Sequence, residues 1–179
     1  MSFWRENAEG VTVRDQAGHE DRFDQVILAT HADQALALLT AADDDQRQWL
    51  GAFRYLDNTT VLHRDSGLMP RRRGAWASWN YLADRSPGTG DSGRAAVAVT
   101  YWMNRLQNLS SERPLFVTLN PQRPPRAGAL LHSEVYEHPV FDAAALQAQQ
   151  KLWMLQGERN TWYCGAHFGS GFHEDGLQS

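Results

Sequence analysis

The chain has 179 residues, of which 42% are hydrophobic and 21% charged, and its formal net charge is −4. This composition is typical of a soluble globular protein and excludes a disordered chain. The acidic balance gives no reason to expect nucleic acid as a partner, and no run approaches the roughly 18–20 apolar residues of a membrane span. With a single cysteine and no hydrophobic leader, an internal disulfide is excluded and the cytoplasm is the expected location.

The first part of the chain predicts two strands followed by two helices. The strands are expected at Val11–Arg14 and Arg22–Ala29, and the helices at 33–39 and from 43 onwards. The apolar run that begins at Val26 is typical of a strand buried on both faces. Asp33 is expected to cap the first helix, and the run Asp43–Asp45 is expected to start the second in the same way.

The middle of the chain is rich in aromatic and β-branched residues that are interrupted by turn signals. It predicts strands at Phe53–His63, Ala75–Tyr81, Ala95–Met103, Leu115–Leu119 and Leu130–Tyr136, with a long loop at Ala83–Arg94. Asp142 is then expected to cap a helix that runs to about Gln156 and ends at Gly157. The predicted fold class is α/β, or α+β-like: a mixed, largely antiparallel sheet with flanking helices.

The last stretch predicts a ligand-binding segment. Thr161–Cys164 is typical of a short strand, glycines at 165, 169, 171 and 176 favour a loop, and Glu174–Ser179 resembles the first turn of a helix. A strand, a glycine-rich loop and a helix start allow backbone N–H groups to approach a ligand closely. The alternative is a glycine-rich surface loop.

Two other interpretations of the same stretch are weaker. His167, His173 and Glu174 match neither of the common zinc-binding spacings, so no metal is expected. Cys164 near His167 suggests a thiol nucleophile, but a cysteine on an apolar strand is more often buried and inert.

The stretch from Thr161 to Ser179 resembles the C-terminal flavin-contacting segment of the flavin-containing amine oxidase superfamily. Other blocks resemble, in the same order, a bacterial branch of predicted NAD/FAD-binding oxidoreductases within that superfamily. These blocks are Phe23–Asp33, Leu68–Arg73, Trp76–Tyr81, Thr100–Gln107, Phe116–Pro121 and Tyr136–Phe141. The resemblance covers nearly the whole chain, and it indicates the family rather than the substrate.

The resemblance implies FAD as the cofactor and a division into three parts. Residues 1–34 would be a remnant of the FAD-binding domain, 35–156 the substrate domain, and 157–179 the C-terminal flavin-contacting segment. No early Gly-x-Gly-x-x-Gly turn is present to bind the pyrophosphate. The chain is therefore expected to be the C-terminal part of an oxidoreductase, inactive by itself, with the missing N-terminal FAD-binding half as its partner in cis or in trans.

An alternative is a non-catalytic module that binds a ligand or completes a separately encoded cofactor domain. Surface left uncovered by the missing half also favours self-association.

The resemblance also implies which residues contact the cofactor. They are Thr30, Gly165, Ala166, His167, Phe172, His173, Glu174, Asp175 and Gly176. Many amine oxidases have an acid just after the glycine that ends the strand, and here Ala166 occupies that position. The ribityl contact that the acid usually makes would fall to His167 or to a backbone group.

A small or apolar substrate is expected, and no catalytic residue is assigned. Trp76, Trp79, Tyr81 and Tyr101 are candidates for an aromatic pocket, with a packed core as the alternative. Well-characterised amine oxidases of the superfamily hold a lysine on a substrate-domain strand, whereas the single lysine here, Lys151, lies in the predicted helix that follows Asp142. The missing strand lysine therefore weakens amine oxidation as the reaction and leaves dehydrogenation, desaturation or isomerisation open.

Overall fold

The protein was analysed as a computed structural model that describes residues 3–7 (backbone only), 10–83 and 97–179. The loop predicted at 83–94 lies, beyond Ala83, outside the described residues. The chain divides into two compact units, one made of residues 1–56 and 138–179 and the other of residues 57–137. Helices and largely antiparallel sheets are both present, which confirms the predicted fold class.

The described part of the chain contains both helices and strands. In chain order they are β1 (Phe3–Asn7), β2 (Gly10–Arg14), β3 (Glu20–Phe23), β4 (Val26–Leu28), α1 (Ala32–Leu38), α2 (Asp44–Leu50), β5 (Arg54–His63), β6 (Trp79–Ala83), β7 (Val97–Trp102), α3 (Met103–Leu106), β8 (Phe116–Leu119), β9 (Leu130–Val140), α4 (Ala143–Gln149), β10 (Thr161–Tyr163) and α5 (His173–Gln178). Short 3-10 helices lie between several of them, including one at Leu152–Leu155.

The first unit contains two small sheets. β1, β2 and β3 form an antiparallel sheet, and β4 pairs with β10 in parallel, with Val26 opposite Thr161 and Leu28 opposite Tyr163. Leu28 and Tyr163 are 5% and 2% exposed, so this face of the pair lies in the core. Parallel pairing brings the carboxyl ends of β4 and β10 to the same edge.

Helices α1, α2 and α4 cover that core. Their buried side chains, with those of the 3-10 helix that follows α4, form one hydrophobic cluster with the pair: Ala32, Ala35, Trp49, Leu50, Ala145, Ala148, Leu152 and Leu155. Asp43 begins α2 with a capping box, because its carboxylate accepts from the Gln46 N–H at 2.8 Å while the Gln46 amide accepts from the Asp43 N–H. Asp142 caps α4 through its carboxylate, which accepts from the Ala145 N–H, without the return bond of a capping box.

Gln156 fixes the position of β10. Its side-chain amide accepts from the Tyr163 N–H at 2.8 Å and donates to the Tyr163 carbonyl at 2.6 Å. The amide thus satisfies the same two backbone groups that a neighbouring strand would satisfy. The Tyr163 hydroxyl is held in turn by the buried Gln46.

The second unit is organised around a sheet with the strand order β6-β7-β8-β5-β9. The pairs β6–β7, β7–β8 and β5–β8 are antiparallel. One face carries buried polar side chains among apolar ones, since His63, Asn80, Thr100 and Thr118 are all at most 5% exposed. These polar side chains bond to one another and to backbone groups, so burial leaves them with partners.

Several predicted boundaries are wrong. The strand predicted at Arg22–Ala29 is two strands in different sheets, β3 and β4, because β3 pairs with β2 while β4 pairs with β10. The apolar run from Val26 is not buried on both faces of the described structure, since Ile27 is 68% exposed. α1 begins after His31 rather than Asp33, and Asp33 lies within its first turn.

Two predicted elements of the later chain also differ. The helix predicted from Asp142 to Gln156 is α4 followed by the 3-10 helix Leu152–Leu155, because the Lys151 N–H bonds to the carbonyl three residues back. The strand predicted from Ala75 starts at Trp79, after a 3-10 turn. Helices α1, α2 and α4 pack in the core of the first unit, whereas the sequence predicts that they belong to the substrate domain. The three-part division of the chain stays a prediction.

We expect Gln156→Met to lower the free energy of unfolding by about 1–3 kcal/mol, because methionine keeps the volume but leaves the Tyr163 N–H and carbonyl without their partners. Urea unfolding followed by circular dichroism measures the change. Gln147→Met on exposed α4 surface is the matched control and should stay within about 0.5 kcal/mol of wild type. Equal stability of the two variants would show that the Gln156 amide does not stabilise β10.

Candidate functional site

The carboxyl ends of β4 and β10 form the candidate site. Thr30 follows β4 and Gly165 follows β10, and a Cβ atom added at Gly165 would lie 3.3 Å from the Thr30 carbonyl oxygen. In open α/β sheets, ligands bind beyond the carboxyl ends of parallel strands. The predicted cofactor residues Thr30 and Gly165 are therefore brought together, although 135 positions (165 − 30) separate them in the sequence.

Gly165 has a conformation and surroundings that favour glycine. Its φ angle is +154°, and an added Cβ would lie 2.8 Å from the ring atoms Nδ1 and Cε1 of His167. A side chain here would displace the imidazole or the strand end. Gly176 packs closely against the residue that follows Gly165, since its added Cβ would lie 3.3 Å from the Ala166 backbone nitrogen.

His167 lies beneath this glycine and is only 3% exposed. Its ring packs edge-on against Phe53 at 5.5 Å and beside Phe168. Burial lowers the pKa of His167 to about 4, with a further lowering from His31 that Asp33 partly offsets. The imidazole is therefore neutral at physiological pH. Its Nε2 atom is buried and makes no hydrogen bond to the described residues.

The loop after β10 is fixed by side chains from both of its flanks. Gln149 of α4 donates to the carbonyl oxygens of His167 at 2.9 Å and Gly169 at 2.6 Å. The Ser179 hydroxyl accepts from the Gly165 N–H and donates to the Gly176 carbonyl. Gln149 and Ser179 are absent from the predicted site, and no motif signals them, because their role depends on which backbone groups the fold brings within reach.

The acids at the start of α5 are committed to the helix itself. The Asp175 carboxylate accepts from the Phe172 N–H at 2.8 Å, and Glu174 accepts from Gln178 one turn later. His173 and Glu174 are exposed, and Phe172 is 56% exposed. Of the predicted cofactor residues, those at 165–167 and 175–176 are packed together at the strand end, while Phe172, His173 and Glu174 face solvent.

On the other side of the site, Thr30 is half-buried and its hydroxyl donates to the His31 carbonyl. His31 stacks on Tyr55 with ring centroids 4.2 Å apart, and the Tyr55 hydroxyl accepts from the Ala32 N–H. Tyr55 thus holds the start of α1 in place beside the site. The sequence does not single it out, since it belongs to a strand rich in similar residues.

The four aromatic candidates for substrate binding lie in the second unit and on two faces of its sheet. Trp79 and Tyr101 are opposite each other across β6 and β7 with rings 5.5 Å apart, and the neighbouring Tyr81 is 71% exposed. Trp76 packs instead against Trp102 and Phe116, which belong to the opposite face.

The remaining candidates of the sequence are placed apart from one another. Lys151 is exposed, and Cys164 is a half-buried free thiol. Within the described part of the chain, no three His, Cys, Asp or Glu side chains are grouped to hold a metal ion. No helix in residues 10–83 or 97–179 has the length and apolar character needed to cross a membrane.

No family model and no curated protein matches the sequence. Solved structures do match the fold. The CLA-producing fatty acid isomerase from P. acnes matches with a TM-score of 0.57 and 12% identity, over 98% of this chain and 44% of that protein. A reduced UDP-galactopyranose mutase matches with a TM-score of 0.55 and 13% identity, over 93% and 40% of the two chains.

Cyclohexylamine oxidase from Brevibacterium oxydans matches with a TM-score of 0.55 and 9% identity, over 99% of this chain and 45% of that protein. At such identities the likeness concerns the fold alone. The chain spans less than half the length of each of these three proteins.

The low pKa of His167 predicts a specific loss of stability in acid. Between pH 6.5 and about 4 the unfolded chain binds a proton at this position that the folded chain does not, so the free energy of unfolding falls as the pH falls through this window. The full effect is on the order of 3 kcal/mol. Urea unfolding at pH 7 and at pH 4.5 should give a smaller difference for His167→Gln than for wild type.

His138→Gln, at an exposed position of β9, is the matched control and should keep the wild-type difference. An unchanged difference in His167→Gln would show that this histidine is not buried in its neutral form.

Proposed function

We propose that this chain supplies the substrate domain and the closing part of the cofactor domain of an FAD-dependent oxidoreductase of the amine oxidase superfamily. The observation that carries the proposal is the pairing of β4 with β10, which places the Thr30 carbonyl, the bare backbone of Gly165 and the buried His167 at one strand edge. The fold shared with the fatty acid isomerase and the cyclohexylamine oxidase supports it.

The residues at this edge fit such a cofactor. At Gly165 the absence of a side chain lets the backbone approach a large planar ligand, and an added Cβ would fill the space between Thr30 and His167. His167 offers one ring nitrogen without adding a charge, and its Nε2 atom lacks a hydrogen bond to the described residues. Bound FAD would supply the redox chemistry, while these residues would position it and keep water from it.

A second observation supports a missing cofactor half. Ile27 and Trp162 face each other on the uncovered side of the β4–β10 pair and are 68% and 40% exposed. Within the described residues this pair has no third strand. Parallel sheets are normally covered on both faces, so an additional N-terminal half, joined in cis or in trans, would bury this apolar surface. Without it, the same surface favours self-association.

The proposed reaction is dehydrogenation, desaturation or isomerisation of a small or apolar substrate rather than amine oxidation. Lys151, the only lysine, is exposed and lies between α4 and a 3-10 helix rather than on a strand of the sheet. The aromatic side chains on one face of β6 and β7 are proposed to contact that substrate: Trp79 and Tyr81, which are exposed, and Tyr101, which is half-buried.

A flavin titration tests the proposal, with FAD fluorescence followed as protein is added. We expect no saturable quenching by the chain alone, because no Gly-x-Gly-x-x-Gly turn that could bind the pyrophosphate occurs early in its sequence, before β4. Co-expression with a polypeptide from the same genome that carries this turn should give a yellow complex with about one FAD per chain. Gly165→Val should weaken FAD binding by the complex about tenfold or more, since the new side chain would meet His167 and Thr30.

Gly18→Val is the matched control: its φ angle of +89° imposes a similar strain, but nothing lies within 4 Å of an added Cβ. Equal flavin retention by the Gly165→Val and Gly18→Val complexes would contradict the proposed site. Stoichiometric flavin on the chain alone after gel filtration would show that no further half is needed. Failure of every such polypeptide to bind the chain would favour the non-catalytic binding module.

A further inference from the structure

The second unit contains a cavity of about 210 Å³ that the flavin proposal does not use. It lies on the sheet face opposite Trp79 and Tyr81. Its floor is buried, and its rim is exposed. Its lining includes Leu68, Leu82, Ala98, Thr118, Gln122 and Arg123. Its volume is below the roughly 300–1,000 Å³ of sites for drug-sized ligands, so it suits a small molecule.

The positive charge at the rim is fixed by a buried carboxylate. Asp65, 4% exposed, accepts from Arg123 Nη1 at 2.8 Å and from the backbone N–H groups of Gly67 and Arg126. Burial alone would raise the pKa of Asp65, but these hydrogen bonds outweigh it and hold the pKa at about 2. Asp65 is therefore ionised, and both of its oxygens already have donors.

Two guanidinium groups surround this single carboxylate, because Arg126 Nε also lies 3.6 Å from Asp65. The cluster keeps a net positive charge. Among the described residues, the hydrogen bonds of Arg123 all come from Nη1, to Asp65 and to the Pro124 carbonyl. Its Nε and Nη2 groups are thus left for an anion, and a guanidinium can bind a carboxylate through two parallel hydrogen bonds.

The buried floor carries a chain of hydrogen bonds whose direction can be deduced. His63 Nδ1 accepts from the Asp65 N–H, so the proton of the neutral ring is on Nε2, which donates to the Thr118 hydroxyl at 2.7 Å. The Thr100 hydroxyl donates to the Leu68 carbonyl, so the bond between the two threonines at 2.9 Å is donated by Thr118. Thr118 has no proton left and keeps one lone pair as an acceptor.

Gln122 at the rim also offers a hydrogen-bond acceptor. Its Nε2 group donates to the Leu82 carbonyl at 3.1 Å, which leaves the side-chain oxygen as an acceptor. The cavity therefore combines one cation, two acceptors and an apolar wall made by Leu68, Leu82 and Ala98.

We propose that this cavity binds a small carboxylic acid that carries a hydroxyl group and a short apolar chain. The carboxylate pairs with Arg123, the hydroxyl donates to Thr118 or Gln122, and the chain lies on the apolar wall. The site does not depend on a bound flavin.

Isothermal titration calorimetry of the full chain without FAD tests the site with three probes. 2-Hydroxy-4-methylpentanoate should bind saturably. 4-Methylpentanoate, which lacks the hydroxyl, and 2-hydroxy-4-methylpentanamide, which lacks the charge, should each bind about tenfold more weakly. Equal binding of the three probes, or no saturable binding of the hydroxy acid, would overturn the proposal.

Arg123→Gln should weaken binding of the hydroxy acid about tenfold. Arg126→Gln removes the same charge beside Asp65 from a side chain that does not line the cavity, and should change binding less than twofold. Equal losses in the two variants would show that general charge, rather than Arg123, attracts the ligand. Because the three probes are compared on wild-type protein, the test stands even if Arg123→Gln unfolds, and its failure leaves the flavin proposal untouched.

Discussion

The parallel pairing of β4 with β10 is the constraint on which the first unit depends. It joins the early and late parts of the chain, and its buried face meets three helices that come from both parts. Because both strands run in the same direction, the chain leaves each of them at the same edge, first into Thr30 and then into Gly165. The candidate site is thus a consequence of strand direction, and its residues need not be close in sequence.

Side-chain amides and carboxylates fix the backbone where regular structure ends. Gln156 binds the N–H and carbonyl groups of Tyr163 in β10, and Gln149 binds two carbonyl oxygens of the loop that follows. In the second unit, Asp65 plays the equivalent part by binding two backbone N–H groups and Arg123. Each of these side chains replaces hydrogen bonds that a helix or a sheet would otherwise provide, and this fixes irregular segments of the backbone.

Each unit contains a buried histidine, and the surroundings of the two imidazole rings differ. His167 packs among aromatic rings, its Nε2 atom lacks a partner among the described residues, and burial is the largest cause of its lowered pKa. His63 is equally buried but has partners on both nitrogens. Its ring donates to the Thr118 hydroxyl, which in turn donates to the Thr100 hydroxyl. The first arrangement leaves a buried ring nitrogen without a hydrogen bond to the described residues, whereas in the second the ring donates a hydrogen bond to a threonine hydroxyl.

The sequence by itself determined those features that depend on local pattern. The acids at 43 and 142 cap the helices that follow them, and the glycine at 165 marks the end of a strand. The family resemblance correctly implies the fold. Each of these signals lies in residues within a few positions of one another, or in a motif that the sequence alone makes recognisable.

Tertiary structure alone decided which strands pair, and therefore where the continuous segment Arg22–Ala29 divides between two sheets. It also decided that Gln149, Gln156 and Asp65 hold distant backbone groups, and that Thr118 and Arg123 line one cavity. These contacts join residues far apart in sequence, and nothing in the local pattern of a glutamine or an arginine records which carbonyl or carboxylate the fold will bring to it.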